Sequence, residues 1–287
     1  MDNKQELAFI GIGRMGVRMA ARLLDAGFPL TVYDLNPKAC DSLVAKGAKL
    51  AASPGEAAAS ADVVMTCLPG PDEVQHVMQA PDGILANARK GALLIEMSTI
   101  GPALSRSLAS KARDAGLHYV DAPISNGVGP AETGELTIMI GGERKDYERA
   151  TPVLRHLGNR LDHLGPIGSG NFAKIANQVI YLSYVASFCE ITRVGRELGV
   201  DVPQLVDVMR NSVAGRPMMT GWEKRLENGD RVAGFQVSRI LKDLGLGATV
   251  ADEQGVDIPL LQEVIRTYRD TADAGYADLD MTAIYSR

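Results

Sequence analysis

The sequence predicts two parts: an α/β domain built on a parallel-rich sheet, then an all-α domain entered through a long helix. Three observations predict this. Up to about Leu164, short apolar runs ending in Gly, Pro or Asp alternate with longer helix-like runs, the pattern of parallel strands covered by helices on both faces. From Asn171 to Gly199 strand signals stop. Apolar residues there recur at helical spacing, at Phe172, Ile175, Ala176, Val179, Ile180 and Leu182. Finally, a glycine-rich turn separates the first strand from the first helix, the place where an α/β sheet cradles phosphates.

The elements follow in order. "ELAFIGIG" leads into "MGVRMAARLLDAG", "LTVYD" into "NPKACDSLVAKG", and "DVVMTCLP" into "GPDEVQHVMQA". "ALLIEMST" precedes "GPALSRSLASKARDAG", "HYVDAP" opens a Gly/Pro-rich loop, and "ELTIMIGG" precedes the polar helix-like "ERKDYERATPVLRHLG". The breaker cluster "GPIGSGN" sets the domain boundary between Leu164 and Ser169, giving a first domain of residues 1–167 and a second of 168–287. The remainder reads as helices broken at "GVDVP", "VAGRP", "ENGDRVAG" and "GVDIP".

Composition narrows the function. With 287 residues and 46% hydrophobic content, the chain can bury a sizeable core. A net charge of −5 and the lack of Lys/Arg runs argue against nucleic acid. No apolar run is long enough to span a bilayer, and the start lacks the parts of a signal peptide. Three scattered cysteines (Cys40, Cys67, Cys189) suggest a reducing cytoplasm and no metal site.

The turn "FIGIGRMG" runs Gly11, Ile12, Gly13, Arg14, Met15, Gly16, in G-x-G-x-x-G spacing. The first Gly allows the turn, the second lets a pyrophosphate approach the backbone, and the third lets the helix pack closely. The helix N-terminus adds free N–H groups and a positive dipole end. The second strand ends at Asp34, where a carboxylate can accept hydrogen bonds from a ribose diol and repel a 2′-phosphate. NAD is therefore expected in preference to NADP. The loops with Leu68 and Pro69 and with Ser98 and Thr99 close two further strands and are candidates for the rest of the cofactor.

Hydride transfer to a carbonyl also needs a proton. The four histidines (His76, His118, His156, His163) lie outside the loops suited to chemistry and read as structural or solvated. The better candidate is Lys174 in "GSGNFAKIANQ", flanked at three-residue spacing by Asn171 and Asn177 along one side of a helix. An ordinary lysine pKa near ~10.4 is high for such work, and desolvation is the physical route to lowering it. In "FQVSRILKDLGLG", Phe235, Arg239, Lys242 and Asp243 share an amphipathic helix, and a solvated Lys–Asp pair would be the plain explanation.

Taken together, "FIGIGRMGVRMA", "DAPISNG", "GSGNFAKIANQ" and "LKDLGLG" resemble, in order and almost end to end, the motifs of the β-hydroxyacid dehydrogenases. This is the group of 3-hydroxyisobutyrate dehydrogenase and tartronate semialdehyde reductase. The resemblance implies a Rossmann-like domain, a long connecting helix and an all-α domain that builds dimers or tetramers. It implies Lys174 as acid/base, with Asn171 and Asn177 orienting substrate. Thr99 and Lys242 would contact the cofactor, Phe235 and Asp243 would shape the site, and Ser125, Asn126 and Gly127 would hold the substrate carboxylate. Asn126 stands where the family normally has Gly. Asn tolerates a left-handed backbone, and its amide would add polar bulk beside the acid group.

The reaction implied is oxidation of a small β-hydroxy acid with NAD. Three other readings stay open: a semialdehyde or glyoxylate reductase of the same family, an imine reductase, and a catalytically silent NAD-binding module. Imine reductases usually carry Asp or Tyr where Lys174 stands, so Lys174 argues against that reading, and Lys174, Asn177 and Ser125 argue against the silent module.

Overall fold

The computed structural model describes residues 5–197, 199–212, 234–253, 255 and 257–285. Contacts divide the chain into two compact units, Met1–Lys174 and Ile175–Arg287. The first carries a single mixed sheet. Its strands are β1 (Leu7–Ile10), β2 (Leu30–Tyr33), β3 (Lys49–Leu50), β4 (Val63–Thr66), β5 (Leu93–Glu96), β6 (His118–Asp121), β7 (Ile124–Ser125), β8 (Leu136–Gly141) and β9 (Gly158–Gly165). Between them lie α1 (Gly16–Asp25), α2 (Asp41–Ala45), α3 (Pro54–Ala58), α4 (Pro71–Gln79), α5 (Ile84–Asn87), α6 (Pro102–Asp114), α7 (Val128–Thr133) and α8 (Arg144–Leu154).

The spatial order is β3-β2-β1-β4-β5-β6-β8-β7, with β9 also paired to β8. From β3 to β6 every pairing is parallel. β8 then runs antiparallel to β6 and β7 and parallel to β9. All four residues of β1, β4 and β5 are buried, because helices cover both faces of a parallel sheet. Alternation sends Leu7 and Phe9 into one core with Met19, Leu23, Val32 and Ile95. Ala8 and Ile10 enter the opposite one with Val64, Val74, Leu94 and Leu108. In α1 the buried residues Gly16, Met19, Ala20 and Leu23 form one stripe at helical period.

β9 escapes the sequence pattern, as does β3. β9 reads "GNRLDHLG" and keeps most of its residues partly or fully exposed. As a polar strand it is defined by its pairing with β8 rather than by apolar alternation. The stretch expected to be wholly helical after "ELTIMIGG" therefore ends at Leu154 and turns back into the sheet.

The second unit is helical. α9 (Ser169–Glu197) begins in the first unit and continues into the second, followed by α10 (Val202–Arg210), α11 (Val237–Glu253) and α12 (Pro259–Thr271). Where the breaker cluster suggests a boundary at 167/168, the contacts divide inside α9. The second core holds Leu182, Val185, Cys189, Ile240, Leu244, Val264 and Tyr268. Asp280 closes it by accepting from the N–H groups of Gly234 (2.8 Å) and Phe235 (3.2 Å) and from the Thr282 hydroxyl (2.9 Å). The breaks expected at "VAGRP" and through most of "ENGDRVAG" lie outside the described residues.

Phe9 on β1 is fully buried. Phe9→Ala is expected to lower stability by ~3–5 kcal/mol, the sum of lost transfer energy and a cavity, read as a lower urea midpoint in far-UV circular dichroism.

Candidate active site

Strand order reverses between β1, which is followed by β2 on one side, and β4, which is followed by β5 on the other. Ligands of open α/β sheets bind at the carboxyl ends of strands at such a switch point. The glycine turn lies there. A methyl on Gly16 would fall 1.9 Å from the Gly11 carbonyl, so the third glycine is required by close packing of helix on turn. A methyl on Gly13 would meet nothing within 4 Å, which leaves the backbone open to a bound group. α1 has neither a side-chain cap nor an acidic residue in its first turn, so its positive end is uncompensated from within. Arg14 is exposed on this turn and Met15 partly so.

Asp34 braces the turn. Its Oδ2 accepts from the Ile12 N–H at 2.7 Å and its Oδ1 from the Asn36 N–H at 2.8 Å. Beside it a pocket of about 300 Å³ is lined by Tyr33, Asp34, Leu35, Pro37, Leu50, Ala51 and Ala52. Leu35 is 90% exposed there. A largely apolar pocket next to a carboxylate that can accept from a ribose diol fits the adenosine end of a dinucleotide, and the open glycine turn fits its pyrophosphate.

The next strand ends are tied by a carboxylate that no sequence motif marks. Glu96, fully buried at the end of β5, accepts from the Ser98 N–H at 2.7 Å and from the Thr66 hydroxyl. Ser98 Oγ in turn accepts from the Leu68 N–H at 2.8 Å. Glu96 thus fixes both candidate cofactor loops, leaving Pro69 exposed and Leu68 and Thr99 partly exposed. Burial, then the neighbouring Asp121 across the β5–β6 register, push the Glu96 carboxyl up to about 7 against the pull of its hydrogen bonds.

Asp121 ends β6 and receives the start of α9. Its two oxygens accept from the Gly168 and Asn171 N–H groups, each at 2.7 Å. Gly170 has to be glycine, since a methyl there would sit 2.3 Å from the Met139 carbonyl. Asn171 is fully buried. Its Oδ1 accepts from the N–H groups of Ile100 (2.8 Å) and Gly101 (3.0 Å), and its Nδ2 donates to Ser105 Oγ (3.0 Å). This corrects the expectation of a substrate contact from Asn171, whose polar atoms all face inward. Phe172, expected on the buried side, is 52% exposed, while Asn171 and Ile175 are buried. One turn after Asn171, Lys174 is partly exposed.

In the turn between β7 and α7, Asn126 has φ +89°, alone in the left-handed region among the described non-glycine residues. The Gly of the family motif is replaced by the side chain best able to keep that turn. Its Nδ2 donates to Thr137 Oγ1 at 3.1 Å and to the Glu135 carbonyl at 3.4 Å. A carbonyl neighbour can only accept, which fixes the amide with its nitrogen toward β8. Ser125 and Gly127 flank it, Ser125 partly exposed and Gly127 at φ +80°.

Within the second unit, Asn177 is exposed and Phe235 partly buried. Asp243 is 3% exposed, pairs with Lys242 at 2.8 Å and accepts from Gln178 Nε2 at 2.9 Å. The solvated Lys–Asp pair of the plain explanation is thus a buried-acid arrangement. Gln178 carries no motif of its own; its one signal in the sequence is its position four residues after Lys174.

The histidines take structural or exposed places. His118 meets Asp146 at 2.8 Å, His163 binds the Gly142 carbonyl at 2.8 Å and stacks on Tyr147, His156 packs edge-on to Phe28, and His76 is exposed. Among the described residues no cluster of three His, Cys, Asp or Glu could hold a metal, and no helix is long and apolar enough to cross a membrane.

Comparison with known proteins covers nearly the whole chain. Residues 6–165 match the family "NAD binding domain of 6-phosphogluconate dehydrogenase", and residues 168–287 match "NAD-binding of NADP-dependent 3-hydroxyisobutyrate dehydrogenase". The chain is 35% identical to an NAD-dependent L-serine dehydrogenase of Pseudomonas aeruginosa, covering 98% of this chain and 96% of that one. It is 36% identical to a 3-hydroxyisobutyrate dehydrogenase of the same organism, covering 97% of each. The structure of Mycobacterium tuberculosis 3-hydroxyisobutyrate dehydrogenase with L-serine superposes with a TM-score of 0.86 at 30% identity, over 99% of this chain and 98% of that one.

The raised carboxyl of Glu96 makes a prediction about pH. An unfolded glutamate titrates near 4.5 and this one near about 7, so its protonated form stabilises the fold below the lower value. That contribution disappears as pH rises through the higher one. Glu96→Gln keeps an acceptor for Ser98 and removes the titration. The urea midpoint of the parent should fall relative to the Gln variant between about pH 5 and pH 8, by an amount equivalent to roughly 2–3 kcal/mol.

Proposed function

The chain belongs to the β-hydroxyacid dehydrogenase family, and from that premise we propose that it oxidises a small β-hydroxy acid with NAD, using Lys174 as general base. The observation that carries this reading is the anchoring of the first turn of α9. Asp121 and the Ile100–Gly101 loop hold Asn171 at the carboxyl ends of β5 and β6, and Lys174 follows one turn later. The substrate carboxylate is assigned to the Ser125–Gly127 turn. In oxidation the neutral Lys174 amine takes the hydroxyl proton, and in reduction its ammonium returns it. Nicotinamide, when bound, supplies the hydride acceptor. A homodimer or homotetramer is proposed from the family resemblance alone.

NAD is proposed in preference to NADP. The support is the Asp34 carboxylate at the end of β2, held on both oxygens by backbone N–H groups. A 2′-phosphate would have to share this space with that negative charge, while ribose hydroxyls would donate to it.

Asn126 favours a more specific substrate. With its nitrogen turned to β8, the amide offers a carbonyl oxygen, an acceptor suited to a substrate bearing an ammonium group beside the carboxylate. L-Serine is such a β-hydroxy acid, and 3-hydroxyisobutyrate, with a methyl there, is not.

NADH formation over a panel of small hydroxy acids tests the reaction class, and silence across the panel would overturn it. Lys174→Ala should lower turnover ~100-fold or more with NAD binding intact. Asp34→Ala should weaken NAD more than NADP, read as separate dissociation constants from fluorescence titration. Asn126→Gly should lower the ratio of L-serine to 3-hydroxyisobutyrate turnover, and an unchanged ratio would leave Asn126 a turn residue only.

A further inference from the structure

Asn171 was expected to touch substrate, yet its side chain is fully enclosed. Both lone pairs of its Oδ1 are engaged by the N–H groups of Ile100 and Gly101, and its Nδ2 donates to Ser105 Oγ. Its own N–H is held by Asp121 Oδ2 at 2.7 Å. No ligand could reach the carboxamide without lifting the first turn of α9 off the strand ends. The carboxamide is closed to substrate, but both segments that it joins lead to candidate site residues. Ile100 directly follows Thr99 on the candidate cofactor loop, and Lys174 is one helical turn beyond Asn171 on α9.

We propose that Asn171 is a positioning residue acting through Lys174: its carboxamide latches the Ile100–Gly101 loop to the first turn of α9, so that loop and lysine hold one fixed relation. The chemistry of the site selects this side chain. Two converging N–H groups require an acceptor with two lone pairs on a short stem, and the Ser105 hydroxyl takes the amide N–H. Aspartate would bury a second carboxylate beside Asp121, glutamine is a methylene longer, and leucine leaves two buried N–H groups without a partner. An acid/base group displaced by about an ångström can lose on the order of 10²-fold in rate, so a latch this close to Lys174 has kinetic weight without touching substrate.

The inference rests on the reading of Lys174 as general base, and a double-mutant cycle separates the two. Rates of NADH formation from L-serine and from 3-hydroxyisobutyrate are measured for the parent, Asn171→Leu, Lys174→Ala and the double variant, at high enzyme concentration for the slow forms. Asn171→Leu should lower kcat ~30-fold in the parent and less than ~3-fold in the Lys174→Ala background, because the group it positions is gone. Equal losses in both backgrounds, or no loss in the parent, would overturn the latch and leave Lys174 untouched. Normal turnover in Lys174→Ala alone would overturn the base assignment itself. Should Asn171→Leu fail to fold by circular dichroism, Ser105→Ala replaces it in the cycle. Loss of the Nδ2 acceptor alone should cost ~5-fold in the parent and nothing measurable without Lys174, and equal losses in the two backgrounds would again overturn the latch.

Discussion

Asp121 receives the start of α9 on the end of β6, and much of the candidate site depends on this interaction. A carboxylate accepting two backbone N–H groups at 2.7 Å makes a strong, directional joint. It fixes where α9 begins, which way Asn171 faces, and on which turn Lys174 follows. The glycines around it follow from the same constraint, since Gly170 has to pass beneath the Met139 carbonyl. Burial raises the Asp121 carboxyl while the two N–H groups pull it down, so the joint is held against a desolvation cost.

Next to Asp121 across the sheet register stands Glu96, the second buried acid at the strand ends. Two carboxyls on adjacent strands, both inaccessible, would be an error in a protein whose only need was stability. Their hydrogen bonds explain them. One organises the loops after β4 and β5, the other the helix after the breaker cluster. The sheet thus ends in a layer of acceptors that gathers backbone N–H groups from segments far apart in sequence.

Much of this is legible in the sequence, for physical reasons. Strands buried on both faces announce themselves as apolar runs, and the glycine turn and Asp34 occupy positions that only a few residue types can fill. Helical spacing places Asn171 and Lys174 on one helix side, but spacing does not report depth. Whether Asn171 faces ligand or core depends on the Gly170 crossing, a tertiary contact. Glu96 is invisible because a single acid at the end of a strand looks like a polar stop, and its partners Thr66, Ser98 and Asp121 meet it only in the folded sheet. β9 is hidden because exposed pairing leaves no hydrophobic trace. Gln178 has neighbours to suggest it, yet its bond to Asp243 joins residues 65 positions apart.

The carboxylate at the end of β2 has a consequence for redesign. A carboxylate at this place in the fold can act as a selector that reads the ribose, and here it is also a bracket between β2 and the glycine turn, through Ile12 and Asn36. Exchanging it for a residue that welcomes a phosphate would release both N–H groups at once and loosen the glycine turn. On the proposed NAD site, cofactor choice and cofactor affinity are therefore mechanically linked. A change of nucleotide would call for a replacement brace as well as a new charge.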